Sequence, residues 1–139
     1  MEEYLIIIGS SILLALGTIH LFYTFFTKRL YPKRNKVVEV LKEECPVLTS
    51  ETTMWKAWIG FNASHSAGII FFAKINILIV FNAFELFQES LAILILDNGF
   101  ILFFLFLAKK YWFRTPFLGV FAASICFLVS TVLIVVHQF

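Results

Sequence analysis

WIGFNASHSAGIIFFA, Trp58 to Ala73, places four polar side chains inside a run otherwise apolar enough to lie in hydrocarbon. Lipid has no hydrogen bonds to offer Asn62, Ser64, His65 and Ser66, so such side chains persist there only where they face protein, water or a ligand. The run is therefore expected to be a membrane helix with a polar core, and its polar side chains are the surface best suited to function.

The composition of the whole chain agrees with that reading. Of 139 residues, 60% are hydrophobic and 14% charged, with a mean hydropathy of +0.91, whereas a soluble domain is about half apolar and about a quarter charged. The partner named by such a composition is the lipid bilayer. Eleven Lys and Arg against nine Asp and Glu leave a net charge of +2, too even a balance to favour a nucleic-acid partner. Cys45 falls in a charged connection and Cys126 in the middle of an apolar run, which predicts two free thiols in different layers. Neither belongs to a zinc-ligand spacing, so no metal site is expected. The start, Met1-Glu2-Glu3, lacks the positive n-region of a secretory signal, and the first apolar segment is expected to be a retained anchor.

Outward from the polar run, hydropathy predicts four spans, at about 4–26, 55–81, 91–108 and 116–137. The first is roughly 23 residues, about 34 Å as a helix and enough for a ~30 Å hydrocarbon core. Gly9, Gly17, His20 and Thr24 share one of its faces, because steps of three and four residues return to the same side of a helix. Small residues there favour close helix packing. The second span opens on Trp55 and Trp58, ring types that prefer the interfacial belt. Lys74 and Asn76 complicate its far half, and one long helix with a snorkelling Lys74 is favoured over a break near Ala73. Between these spans, Pro32 fits a first helical turn, Val37, Val38, Leu41 and Cys45 recur at helical spacing, and Pro46 stops the pattern; this predicts a short amphipathic helix on the cytoplasmic membrane surface. The connection 109–115 carries Lys109, Lys110 and Arg114.

Ten of the eleven basic residues, all but Lys74, lie at the connections after spans one and three. The positive-inside rule then puts those connections in the cytoplasm and both termini on the non-cytoplasmic side. In this topology His20 is about six residues and His65 about eight residues from the same surface, or roughly 9 and 12 Å deep at ~1.5 Å per residue. The two imidazoles are expected to be nearly level. Asn62, His65 and Ser66 share a helix face, and Asp97, roughly 18 Å from the cytoplasmic end of its span at ~1.5 Å per residue, is expected near His65. A bare carboxylate at that depth must be paired, protonated or beside a water-filled cavity.

This layer of His20, His65, Asn62, Ser66 and Asp97 forms the candidate cofactor-binding set. Imidazoles so placed can ligate the iron of a b-type haem or a metal, relay protons, bind a quinone-type molecule, or hydrogen-bond a neighbouring helix. Gly17 and Gly68, each one turn from a histidine, would give clearance to a flat macrocycle. No catalytic constellation accompanies them. Ser64 and His65 point about 100° apart on a helix, and no second carboxylate lies at the depth of Asp97.

Two stretches, Trp55-Lys56-Ala57-Trp58-Ile59-Gly60-Phe61-Asn62-Ala63-Ser64-His65-Ser66-Ala67-Gly68 and Ala108-Lys109-Lys110-Tyr111-Trp112-Phe113-Arg114-Thr115-Pro116, resemble those of small bacterial four-span membrane proteins to which no activity is assigned. The resemblance implies a bacterial inner-membrane setting and four helices; it implies no substrate or catalytic residue. The expectation from all these features is an all-α, antiparallel four-helix transmembrane bundle with an extra cytoplasmic surface helix. Functionally it is a non-enzymatic accessory or interaction subunit, associated with itself or with a larger membrane complex. The alternative is a bis-histidine haem, metal or quinone-type ligand-binding bundle with a role in electron transfer.

Overall fold

The structure is a computed structural model that describes residues 1–138. It is all-helical among those residues: α1 Glu2–Phe26, α2 Asn35–Glu43, α3 Met54–Asn82, α4 Glu85–Glu89, α5 Leu91–Tyr111 and α6 Arg114–Gln138. Helices α1, α3, α5 and α6 are long and apolar enough to cross a membrane. Only 28%, 33%, 17% and 33% of their most apolar windows are buried, so most of the Phe, Leu, Ile and Val on these helices faces outward. That is a surface for hydrocarbon rather than water.

Helix ends follow local chemistry. Thr53 Oγ1 accepts from Lys56 N–H at 3.3 Å, which caps the start of α3. Ser90, in extended backbone conformation, accepts from Ile93 N–H and does the same for α5. Pro116 sits in the first turn of α6, where its lack of an N–H is harmless. Lys109 and Lys110 belong to the last turn of α5, not to a loop as expected from hydropathy. Cations there face the negative end of the helix dipole, which favours the extra turn. Helix α3 is unbroken through Lys74, which is exposed. Helix α2 starts three residues beyond Pro32, after an Arg34 with extended backbone and no side-chain cap. Helix α4 lies in a stretch read from sequence as a plain connection, and it is anchored by Phe87, which is fully buried.

The described residues form two compact units, residues 1–16 with 70–138 and residues 17–69. In the first, α4 packs on α5 and α6, and α5 packs on α6. Its centre is aromatic: Phe72 of α3 stacks on Phe100 of α5 with centroids 4.2 Å apart and leans on Phe127 of α6 at 5.6 Å. Gly9 of α1 lies against the same ring; a Cβ there would sit 3.0 Å from Phe127 and 3.1 Å from Cys126 Cβ. Asn98 of α5 donates to Thr131 Oγ1 of α6 at 2.7 Å, Ser130 Oγ donates to the Glu2 carbonyl at 2.9 Å, and Glu2 pairs with His137. In the second unit, Tyr31 meets Trp55 edge-to-face at 4.7 Å. Arg29 donates to Tyr23 Oη at 2.7 Å while lying over the Tyr23 ring.

Two glycines of the first unit, Gly9 and Gly119, predict opposite outcomes. Alanine gains about 1 kcal/mol of helix propensity over glycine, and overpacking costs about 1–3 kcal/mol where neighbours cannot yield. At Gly119 the near atom is the tip of the flexible Leu16 side chain, so Gly119→Ala should leave the thermal midpoint unchanged or raised. At Gly9 the neighbour is the ring of Phe127, 2% exposed, so Gly9→Ala should lower it. Thermal unfolding in detergent, followed by circular dichroism, compares the two.

Candidate functional site

The second unit brings four of the expected site residues together. His20 comes from the last turns of α1, and Asn62, His65 and Ser66 from the first half of α3, with Asn62 and Ser66 one helical turn apart. His20 Nε2 and Asn62 Oδ1 are 2.9 Å apart. The Asn62 amide nitrogen donates to the Trp58 carbonyl at 2.8 Å, so the oxygen is the atom turned to His20. An oxygen only accepts, and His20 therefore carries its proton on Nε2 and donates it. His65 sets its ring edge-to-face against His20, with centroids 5.7 Å apart and planes at 70°. The two imidazoles do meet, as the depth arithmetic predicts.

Backbone carbonyls hold the rest of the group. Ser66 Oγ donates to the Asn62 carbonyl at 2.9 Å, and Thr24 Oγ1 donates to the His20 carbonyl at 2.9 Å. Both are bonds to residue i−4 of the same helix, the usual fate of a hydroxyl in an apolar helix. Ser66 is fully buried and Thr24 is 4% exposed; His20, Asn62 and His65 are half-buried. Ser64 is exposed and donates to the Phe61 carbonyl at 3.1 Å.

Asp97 belongs to the first unit, with Asn76 beside its carboxyl. Asn76 is 1% exposed and its Nδ2 donates to the Phe72 carbonyl at 3.0 Å. A usable signal was present in the sequence. Asn76 and Asp97 each stand six residues in from the helix end beside the 83–90 connection. The depth argument that paired the histidines would have paired these two as well.

The geometry does not fit a bis-histidine haem. Two axial imidazoles must aim ring nitrogens at each other across the thickness of a macrocycle. Here the rings touch edge-to-face, and His20 Nε2 is bonded to Asn62. A Cβ at Gly68 would meet nothing within 4 Å, so this exposed glycine is not held small by a neighbouring group. For a quinone carbonyl the required donor would be an N–H, and that of His20 is already given to Asn62. Among the described residues no cluster of three or more His, Cys, Asp or Glu could hold a metal ion, and Cys45 and Cys126 are free thiols. No family model, curated protein or solved structure matches the chain.

What this arrangement does chemically is join two spans through a neutral hydrogen bond. A double-mutant cycle of His20→Ala and Asn62→Ala should yield a coupling near 0.6 kcal/mol and not above about 1.7 kcal/mol, the range for interhelical hydrogen bonds in membranes. Protein expressed with haem supplied should show no Soret absorption that His20→Ala removes.

Proposed function

We propose that the chain is a non-enzymatic integral protein of a bacterial inner membrane, an accessory or interaction subunit whose buried polar groups fix its own spans. Its four long helices form an antiparallel bundle with both termini on the non-cytoplasmic side, and α2 is an amphipathic helix lying on the cytoplasmic face. The single observation that carries this reading is the His20 to Asn62 bond. The polar atoms best placed to hold a ligand are spent on holding α1 to α3, which is the work of a scaffold.

Further support comes from what lies outside. Large apolar side chains are exposed along every long helix, among them Phe22, Phe71, Leu96, Phe103 and Val132, a surface suited to lipid and to a neighbouring helix. The alternation of basic and acidic connections supports the orientation. The resemblance to small four-span bacterial proteins supports the setting.

Two measurements test the proposal. Single cysteines at Glu2 and Lys110, in a background freed of Cys45 and Cys126, should label with an impermeant maleimide from opposite sides of the membrane, Glu2 from outside the cell; an externally labelled Lys110→Cys overturns the topology. Gentle purification from native membranes should retain a second copy or a larger assembly. His20→Ala and Asn62→Ala should lower thermal stability and leave that association in place. Loss of a bound small molecule, seen by mass spectrometry in either variant, would replace the scaffold reading with a ligand-binding one.

A further inference from the structure

The second unit contains an apolar groove that the His20 to Asn62 bond does not use. Leu30, Tyr31, Pro32, Leu41 and Trp58 line it, and its volume is about 310 Å³, within the size range of small-molecule sites. Two backbone bonds assemble its walls. Tyr31 N–H donates to the Lys28 carbonyl at 3.1 Å, which turns the chain as it leaves α1, and Leu30, Tyr31 and Pro32 supply one wall. Met54 N–H donates to the Glu44 carbonyl at 2.8 Å, which ties the end of α2 to the start of α3. Leu41, near that end of α2, and Trp58, one turn into α3, supply the other wall.

Protein leaves this apolar surface uncovered. Trp58 is 46% exposed, and Val37 and Val40, 42% and 46% exposed, share a face of α2 with Leu41. The groove lies where α1 ends, at Phe26, and α3 begins, at Met54. With both helices spanning, that is the level of the lipid headgroups, with acyl chains directly beneath.

The rim of the groove is basic. Lys28, Arg29, Lys33, Arg34 and Lys36 follow one another with no Asp or Glu among them, and all are exposed. Arg29 adjoins Leu30 and Lys33 adjoins Pro32, both lining residues. The acids Glu39, Glu43, Glu44 and Glu51 come later in the chain, and among the described residues no carboxylate pairs with these cations. Arg29 is held in place, donating to Tyr23 Oη at 2.7 Å with its guanidinium 4.8 Å from the centre of the Tyr23 ring. Its other N–H groups form a fixed fork of the kind that suits phosphate. The cap residue of α2, Arg34, gives no side-chain acceptor, so the positive end of that helix also favours an anion.

An apolar groove at headgroup level with cations on its rim complements a molecule that has a negative head and a hydrocarbon tail. A soluble anion uses only the rim, and a neutral lipid only the groove. We propose that this groove binds an anionic phospholipid, its phosphate at Arg29 and Lys33 and the start of an acyl chain against Leu30, Leu41 and Trp58. The inference rests on the reading of α1 and α3 as membrane spans and is indifferent to which side of the membrane the groove faces.

The test titrates the full-length protein, in neutral detergent at fixed ionic strength, with phosphatidylglycerol or phosphatidylcholine carrying brominated acyl chains. Tryptophan emission is followed, since bromine quenches an indole that it touches. Phosphatidylglycerol should quench saturably, with a half-saturating concentration at least fivefold below that of phosphatidylcholine. Trp58→Phe should abolish this preferential quenching, and Arg29→Gln combined with Lys33→Gln should raise the half-saturating phosphatidylglycerol concentration at least threefold. Soluble glycerol phosphate should not restore the emission. Equal titrations with the two lipids overturn the site, and that comparison needs only the unaltered protein. A preference that survives intact in Trp58→Phe, or in the folded double variant, also overturns it. So does glycerol phosphate that restores emission as well as unbrominated phosphatidylglycerol does, which assigns the rim to a phosphate in water. Orientation enters none of these measurements. Failure of the lipid site therefore leaves the topology standing, and an externally labelled Lys110→Cys leaves the lipid site standing in the other leaflet.

Discussion

Hydrocarbon offers no hydrogen bonds, and nearly every polar side chain on the long helices is arranged around that constraint. The first resort is the chain's own backbone. Thr24, Thr27, Asn62, Ser66, Asn76, Asn82, Asn98 and Ser124 each donate to the carbonyl four residues earlier. A hydroxyl or amide nitrogen can be satisfied in this way without leaving its helix. The oxygen of an asparagine cannot, because a helix has no spare N–H to return to it. Asparagine is therefore the residue whose second half must look to another element.

The polar architecture follows from where those oxygens go. Asn62 gives its oxygen to His20 and so joins α3 to α1. Asn76 and Asn98 keep theirs without a partner among the described residues. The first bond is closed, with donor and acceptor matched inside the protein, whereas these oxygens are acceptors left without a donor among the described residues.

Much of this was legible in the chain itself. Hydropathy located four long helices to within a few residues, and the length of the second was readable because an exposed Lys74 interrupts a membrane helix no more than a long flexible stem requires. The meeting of His20 and His65 followed from counting residues to a shared surface. Helix α4 was not legible: five residues are too few to show a helical period, and what holds them is the burial of Phe87 against the first unit. The role of Asn76 was not read either, since one asparagine in an apolar run looks like a tolerated exception until its neighbour on another helix is known.

Sequence alone determined that the chain is helical and apolar, how many helices are long enough to cross a bilayer, and which side chains would need partners there, because these depend only on hydrophobicity and on the intrinsic bonding capacity of each residue. Only the tertiary structure decided which partners they take. Whether an imidazole nitrogen points at an amide or at a prosthetic group depends on helix rotation and tilt. Packing such as that of Gly9 on Phe127 sets both, and a linear pattern of residues does not encode them.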